Sequence, residues 1–123
     1  MILVDTSVWI PYFRADPDIF PFLHRALEAR SVLGLECIYG ELLQGARDRR
    51  ECQMLTQYWE NLEKMEEKGL WIEAGVLASQ QNFPSKGIGL IDATILVAAR
   101  RRRARIWTLD KKLLSVLEKH EIY

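Results

Sequence analysis

Short segments of strand-forming residues alternate with longer helical segments along this chain, and this alternation constrains the fold most strongly. The strand-like segments are residues 2–4, 31–35 and 105–109. Strands separated by helices are joined by crossover connections, which produce a parallel sheet covered by helices on both faces. The pattern therefore predicts an α/β fold, a three-layer α/β/α sandwich with a small, mostly parallel central sheet.

The segments between these strands carry apolar residues at helical spacing, and several end at residues that stop helices. Gly45 and Gly69 are two such ends, and residues 84–87 have the composition of a loop. Ile122 and Tyr123 are candidates for a final edge strand. We expect helices after Asp5, over 16–30, from Ile38 to Gly45, and over 50–68, 72–83, 90–103 and 111–119.

Length and composition indicate one folded domain. The chain has 123 residues, of which 49% are hydrophobic and 28% charged, so a core can form and disorder is not expected. No apolar run approaches the roughly 20 residues of a membrane helix. Asp5 interrupts the apolar N-terminus and no basic segment precedes it, so we expect neither a secretory signal nor a membrane association.

The cysteines and histidines do not form a zinc motif. Cys37 and Cys52 have no C-x-x-C spacing and no zinc-ligand spacing with His24 or His120. We therefore interpret the cysteines as reduced core residues of a cytoplasmic protein.

The formal net charge is zero, but it is unevenly distributed. Residues 36–73 carry nine acids and five bases, whereas residues 86–123 carry nine bases and four acids. Because phosphate contacts dominate nucleic-acid binding, a neutral chain would ordinarily argue against that partner. The regional separation of charge leaves a nucleic-acid partner open.

Four acidic residues from separate segments should meet at one edge of the predicted sheet. Asp5 and Asp110 each follow a strand directly, and Glu41 lies one turn into the helix after the second strand. Asp92 begins a helix that runs antiparallel to the strands, so it lies at their carboxyl ends. Ligand crevices in such sheets lie at this edge.

This convergence needs compensation, because two carboxylates about 4 Å apart repel by roughly 4 kcal/mol at an effective dielectric constant near 20. Protons, arginines or a divalent cation would each relieve it. An acidic site without histidine or thiolate suits Mg²⁺ or Mn²⁺.

A simpler interpretation is also open. Asp5 and Asp110 could be ordinary helix caps, Glu41 a solvated helix residue, and Asp92 a first-turn acid favoured by the helix dipole. Composition and spacing alone do not separate these readings.

Four local motifs around these acids resemble the motif regions of PIN domains, and more narrowly those of the VapC toxins of bacterial toxin–antitoxin pairs. They follow one another in order along essentially the whole chain. The resemblance therefore implies one PIN domain that spans residues 1–123. The motifs are Val-Asp-Thr-Ser-Val-Trp-Ile (4–10), Gly-Glu-Leu-Leu-Gln-Gly-Ala-Arg (40–47), Leu-Ile-Asp-Ala (90–93) and Trp-Thr-Leu-Asp-Lys (107–111).

The resemblance implies an endoribonuclease that depends on Mg²⁺ or Mn²⁺. Asp5, Glu41, Asp92 and Asp110 would be the catalytic, metal-binding carboxylates, ligating directly or through water. Thr6 and Thr108 would orient carboxylates or water from behind them. The resemblance also implies a homodimer and a cognate antitoxin that covers the active cleft, with transfer RNA among the candidate substrates.

Two positions depart from the family pattern. Pro11 stands where these proteins often have an acid, and Glu36 replaces a small residue or proline before the Glu41 helix. The first removes an optional acid. The second would add a carboxylate near the site or remain solvated.

Basic residues near the acidic edge are candidates for contacts with RNA phosphates: Arg47, Lys86, Lys111 and Lys112. The most basic stretch, residues 100–103 with Arg105, should lie at the opposite edge, where cations are favoured by a helix C-terminus.

Three other functions compete with this interpretation. A haloacid-dehalogenase-type phosphatase would need a second aspartate at position 7, which is Ser7. A receiver domain would need an acid adjacent to Asp5. A PIN scaffold that binds RNA or protein without cutting remains open, although all four acids are present.

Overall fold

The computed structural model describes all 123 residues and contains a four-stranded, entirely parallel sheet. The strands are β1 (Ile2–Val4), β2 (Val32–Gly34), β3 (Glu63–Lys64) and β4 (Arg105–Trp107), in the spatial order β3-β2-β1-β4. Ile122 adds a parallel bridge to Ile106 beyond β4, at the predicted edge strand. The predicted fold class is confirmed.

Seven α-helices connect and cover these strands. None of them combines the length and the apolar composition that crossing a lipid bilayer would require. Two short 3-10 helices, Pro84–Lys86 and Lys119–Glu121, complete the structure. The helices are α1 (Thr6–Phe13), α2 (Phe20–Glu28), α3 (Glu36–Gln44), α4 (Arg49–Asn61), α5 (Leu70–Gln80), α6 (Leu90–Arg102) and α7 (Lys111–Leu114).

The central position of α6 explains its composition. Its residues from Ala93 to Ala99 are all buried, because α6 packs against α5 and also against β1 and β4. A helix that is apolar all round belongs in a core rather than at a surface. This packing fixes α6 relative to β1, and so fixes the segments that carry Asp92 and Asp5.

The predicted helix over 50–68 is wrong after residue 61. Helix α4 ends at Asn61, and the chain then extends into β3, which pairs with β2 in parallel. Leu62 and Met65 are buried as the apolar spacing indicates, but from an extended segment. Two exposed charged residues, Glu63 and Lys64, carry no strand pattern, so only pairing with β2 defines this strand.

Two other predicted helices are shorter than expected. The segment before α2 is a turn in which the side chain of Asp16 accepts a hydrogen bond from the backbone of Asp18, so α2 begins only at Phe20. Helix α7 ends at Leu114, and a separate 3-10 helix begins after Glu118, whose backbone N–H donates to the side chain of Glu121. Pro11 lies inside α1, beyond the first turn where proline is most easily accommodated.

The basic stretch is largely paired within the protein. Arg100 contacts Glu121 at 2.7 Å, Arg101 contacts Glu73 at 2.8 Å, and Arg102 contacts Glu63 at 3.2 Å. The stretch closes α6 and leads into the amino end of β4, away from the carboxyl ends of the strands. These arginines therefore connect α6 to neighbouring segments.

The hydroxyl of Tyr39 is buried and has no hydrogen-bond partner. Because an unsatisfied buried hydroxyl is costly, we expect Tyr39→Phe to raise the free energy of unfolding by about 1 kcal/mol. Denaturant unfolding measures this change. Tyr12→Phe is the matched control: its hydroxyl lies 3.1 Å from that of Tyr58, so its loss should destabilise the protein. Equal destabilisation by both variants would contradict the prediction.

Candidate active site

All four predicted acids lie around one cleft at the carboxyl edge of the sheet. Asp5 follows β1, Asp110 precedes α7, Glu41 lies in α3 and Asp92 lies in the first turn of α6. The cleft has a volume of about 490 Å³. Four segments that are distant in sequence therefore bring their carboxyl groups to one place, as the strand-end argument predicts.

Asp5 is the most buried of the four acids, with 6% of its surface exposed. It occupies the N-cap position of α1, but its side chain makes no capping hydrogen bond. Instead, its Oδ2 atom accepts hydrogen bonds from Ser7 Oγ at 2.7 Å and from Thr108 Oγ1 at 2.8 Å. Asp5 is therefore not an ordinary helix cap, and its second oxygen has no protein donor.

Ser7 and Thr108 hold this carboxylate and are themselves fixed by the backbone. Ser7 Oγ accepts a hydrogen bond from the N–H of Leu109 at 2.9 Å, and Thr108 Oγ1 accepts one from the N–H of Asp110 at 3.0 Å. Each hydroxyl thus uses its single proton on Asp5. The sequence predicts that Thr108 orients the acids but does not predict a role for Ser7, for which its position two residues after Asp5 is the available signal.

Glu41 is oriented in a similar way. Thr6 Oγ1, one residue after Asp5, donates a hydrogen bond to Glu41 Oε1 at 2.8 Å. This contact joins the start of α1 to the middle of α3. The predicted position of Thr6 beside an acid is thus observed, and the acid is Glu41.

Asp110 does cap its helix, because its Oδ1 accepts the backbone N–H of Lys112 at 2.8 Å. The capping interpretation and the site interpretation are compatible here, since Oδ2 stays free of that bond. Asp110 is partly exposed, so its free oxygen is accessible from the cleft.

The surroundings of the cleft affect the pKa of Asp92. Burial raises the pKa of this carboxyl above its ordinary value, and the nearby negative charges of Asp110 and Asp5 raise it further. None of the four acids forms an ion pair with a lysine, arginine or histidine. The negative charge of the cleft is therefore not neutralised by the protein.

The donor set suits Mg²⁺ or Mn²⁺, because it is composed of carboxylate and hydroxyl oxygens without imidazole or thiolate. No three acidic, histidine or cysteine side chains are positioned here to coordinate one ion directly. Mg²⁺ does not require such a cage, because it keeps several waters and usually binds one or two carboxylates. The residues thus fit an ion held partly through water.

The four residues predicted to contact RNA do not share one cleft as the acids do. Arg47 is highly exposed but bonded to Glu51 at 2.8 Å, beside a groove that shares Glu41 with the cleft. Lys86 lines a separate cavity with Arg100. Lys111 and Lys112 are exposed at the start of α7.

Glu36, which departs from the family pattern at the start of α3, lies outside the cleft. Glu36 is exposed at the first residue of α3, and its backbone N–H donates to Glu67 Oε2 at 3.1 Å. It therefore adds no carboxylate to the four that line the cleft.

The sequence model of the PIN domain matches residues 2–119. The chain belongs to the PIN domain family. PIN domains are in general nucleases, and such nucleases generally use divalent metal ions, which agrees with a cleft of unpaired carboxylates. No curated protein sequence matches the chain significantly.

Two solved structures share the fold of this PIN domain. One is a toxin–antitoxin complex from Klebsiella pneumoniae, with a TM-score of 0.70 and 19% identity over 95% of this chain and 92% of that one. The other is PAE2754 from Pyrobaculum aerophilum, with a TM-score of 0.58 and 20% identity over 93% of this chain and 82% of that one. At these identities the likeness concerns the fold.

Proposed function

We propose that this PIN domain, spanning residues 1–123, is a metal-dependent endoribonuclease that hydrolyses RNA phosphodiester bonds. One observation carries the proposal: four carboxylates line one cleft of a nuclease fold, and no protein cation pairs with any of them. A structural role would not require four acids to share a cleft without compensation, since their mutual repulsion destabilises the fold.

Asp5, Glu41, Asp92 and Asp110 would hold Mg²⁺ or Mn²⁺, directly or through water. A bound ion would lower the pKa of a water molecule and offset negative charge on the transition state. Hydrolysis would leave a 5′-phosphate and a 3′-hydroxyl.

The hydroxyl residues have a supporting role in this proposal. Ser7 and Thr108 fix the direction of the Asp5 carboxylate, while Thr6 fixes that of Glu41. Loss of a hydrogen bond that orients a metal ligand typically lowers metal affinity or activity by about 10- to 100-fold.

We further propose that the protein is the VapC-type toxin of a toxin–antitoxin pair, acting in the cytoplasm as a homodimer. The order of the four motifs supports this assignment, and so does the fold shared with the toxin–antitoxin complex from Klebsiella pneumoniae. A cognate antitoxin would then cover the cleft and keep RNA from the acids. Transfer RNA is the first substrate to test.

Cleavage of a total transfer-RNA pool tests the proposed function. Purified protein is incubated with Mn²⁺, with Mg²⁺ or with EDTA, and Asp92→Asn is purified and assayed in parallel. We expect discrete fragments that require both the metal and Asp92. Cleavage by Asp92→Asn at the parent rate would contradict the assigned site. No cleavage of transfer, ribosomal or messenger RNA by antitoxin-free protein would favour a scaffold that binds without cutting.

A further inference from the structure

One lysine, close in sequence to an acid of the cleft, makes contacts on two sides. Lys112 lies in the first turn of α7, two residues after Asp110, and its backbone N–H donates to the Asp110 side chain. Its backbone position is therefore tied to one of the four acids.

The side chain of Lys112 crosses to Gly87. A Cβ atom added to Gly87 would lie 3.2 Å from Lys112 Nζ and 3.5 Å from both Cδ and Cε. Gly87 also has a φ of +73°, a conformation that side chains rarely adopt. Glycine at this position thus permits both the positive φ of the backbone and the close approach of the lysine side chain.

This contact joins the two chain segments that supply half of the acids. Gly87 lies two residues before Gly89, which is the N-cap of α6, and Asp92 lies in the first turn of that helix. Lys112 belongs to the segment of Asp110. Its side chain therefore connects the segment of Asp110 with the segment that leads to Asp92, and both segments line the cleft.

The ammonium of Lys112 has no anionic partner. It forms no ion pair within 4.0 Å and no side-chain hydrogen bond, and the residue is exposed. Arg47, by contrast, is bonded to Glu51, and Lys64 donates to the carbonyl of Leu62. Lys112 is thus an unpaired cation whose side chain packs against the backbone of Gly87.

We propose that Lys112 binds an RNA phosphate next to the one being hydrolysed, an inference that rests on the proposed function. An acidic cleft repels the RNA backbone, and a cation held between two of the segments that line it offsets that repulsion and fixes where the strand lies. Because the contact is made to phosphate, it carries no sequence preference. Packing over Gly87 restricts the lysine in advance and so lowers the entropy lost on binding.

Binding of fluorescently labelled single-stranded RNA to the intact protein tests this inference. Anisotropy is measured in EDTA, which prevents cleavage, over a range of salt concentrations and with two RNAs of equal length and different sequence. The variants are Lys112→Met, which keeps the length of the side chain but removes its charge, Lys112→Arg, and Lys119→Met. Lys119 is an exposed lysine outside the cleft and is the matched control.

For Lys112→Met we expect the slope of log K against log salt to decrease in magnitude by about 0.7, the value for one phosphate contact on a single strand. At about 0.1 M salt this corresponds to roughly fivefold weaker binding, equal for both RNAs. Lys112→Arg should restore the slope, and Lys119→Met should match the parent. Equal slopes for Lys112→Met and Lys119→Met, or a loss confined to one RNA, would overturn the inference.

A second measurement separates a phosphate contact from a structural role. The increase in melting temperature caused by Mn²⁺ should be at least as large in Lys112→Met as in the parent, because the acids remain and a nearby positive charge is lost. A smaller increase would show that Lys112 shapes the cleft instead. Cleavage by the parent against Asp92→Asn tests the nuclease independently, so the two hypotheses can fail separately.

Discussion

Asp5→Asn should lower the rate of RNA cleavage by about 10²- to 10³-fold or more and leave the fold intact. The substitution preserves the shape of the side chain, and its amide oxygen can still accept hydrogen bonds from Ser7 and Thr108. What is lost is one negative charge at the most buried position of the cleft. A loss of activity would therefore reflect the missing negative charge at the metal site, not altered packing.

Single-turnover cleavage measures this effect, with circular dichroism and thermal unfolding as checks of the fold. Asp18→Asn is the matched control, because Asp18 is an exposed aspartate between α1 and α2, away from the cleft. It should cut RNA at the parent rate. Parent-like activity in Asp5→Asn would show that the chemistry does not depend on this carboxylate.

The four acids could be predicted because a general rule of sheet geometry places them. Asp5 and Asp110 follow strands, and parallel strands end at one edge, so their meeting requires no knowledge of side-chain packing. Asp92 follows from the antiparallel direction of a crossover helix. These positions depend on the order of elements, which apolar spacing indicates well.

Contacts between distant residues were not predictable in the same way. Ser7 lies close to Asp5 in sequence, but its hydroxyl is also held by Leu109, far along the chain, whose backbone N–H donates to it. Strand β3 exists because the segment after α4 pairs with β2, although its own two residues are charged and exposed. Both features arise from tertiary contacts that override the local pattern.

The passage of Lys112 over Gly87 is a third example of such a contact. A positive φ at a glycine is a common inference from sequence, but the partner of that glycine is 25 positions away in the chain. Local signals therefore identified the lysine as a candidate, while only the structure distinguishes it from Lys111 beside it.

The four acids also predict how the protein responds to metal and to pH. At a Mn²⁺ concentration about a hundredfold above its Kd, binding to the folded state should add roughly 2.7 kcal/mol to the free energy of unfolding. For a domain of this size that raises the melting temperature by about 10 °C. The gain comes from relieving the repulsion among carboxylates that no protein cation neutralises.

Protons should compete with Mn²⁺ at Asp92, whose pKa is raised by burial and then by the charges of Asp110 and Asp5. Because the folded chain holds this proton more tightly than the unfolded chain, Asp92 contributes stability to the metal-free protein at low pH. That contribution is lost as the pH rises from the ordinary aspartate value through the raised pKa. The increase in melting temperature with Mn²⁺ should change in the opposite direction and become larger over the same pH range.

Thermal unfolding of the parent and of Asp92→Asn, with and without Mn²⁺ across this pH range, separates Asp92 from the other titrating groups. Without metal, Asp92→Asn should exceed the parent in stability near neutral pH, by about 0.5 kcal/mol because the half-exposed side chain is screened by water. With Mn²⁺ it should gain much less than the parent. If Mn²⁺ leaves the melting temperature of the parent unchanged at every pH, the acids do not form a metal site. The repulsion among them would then be relieved by protons alone.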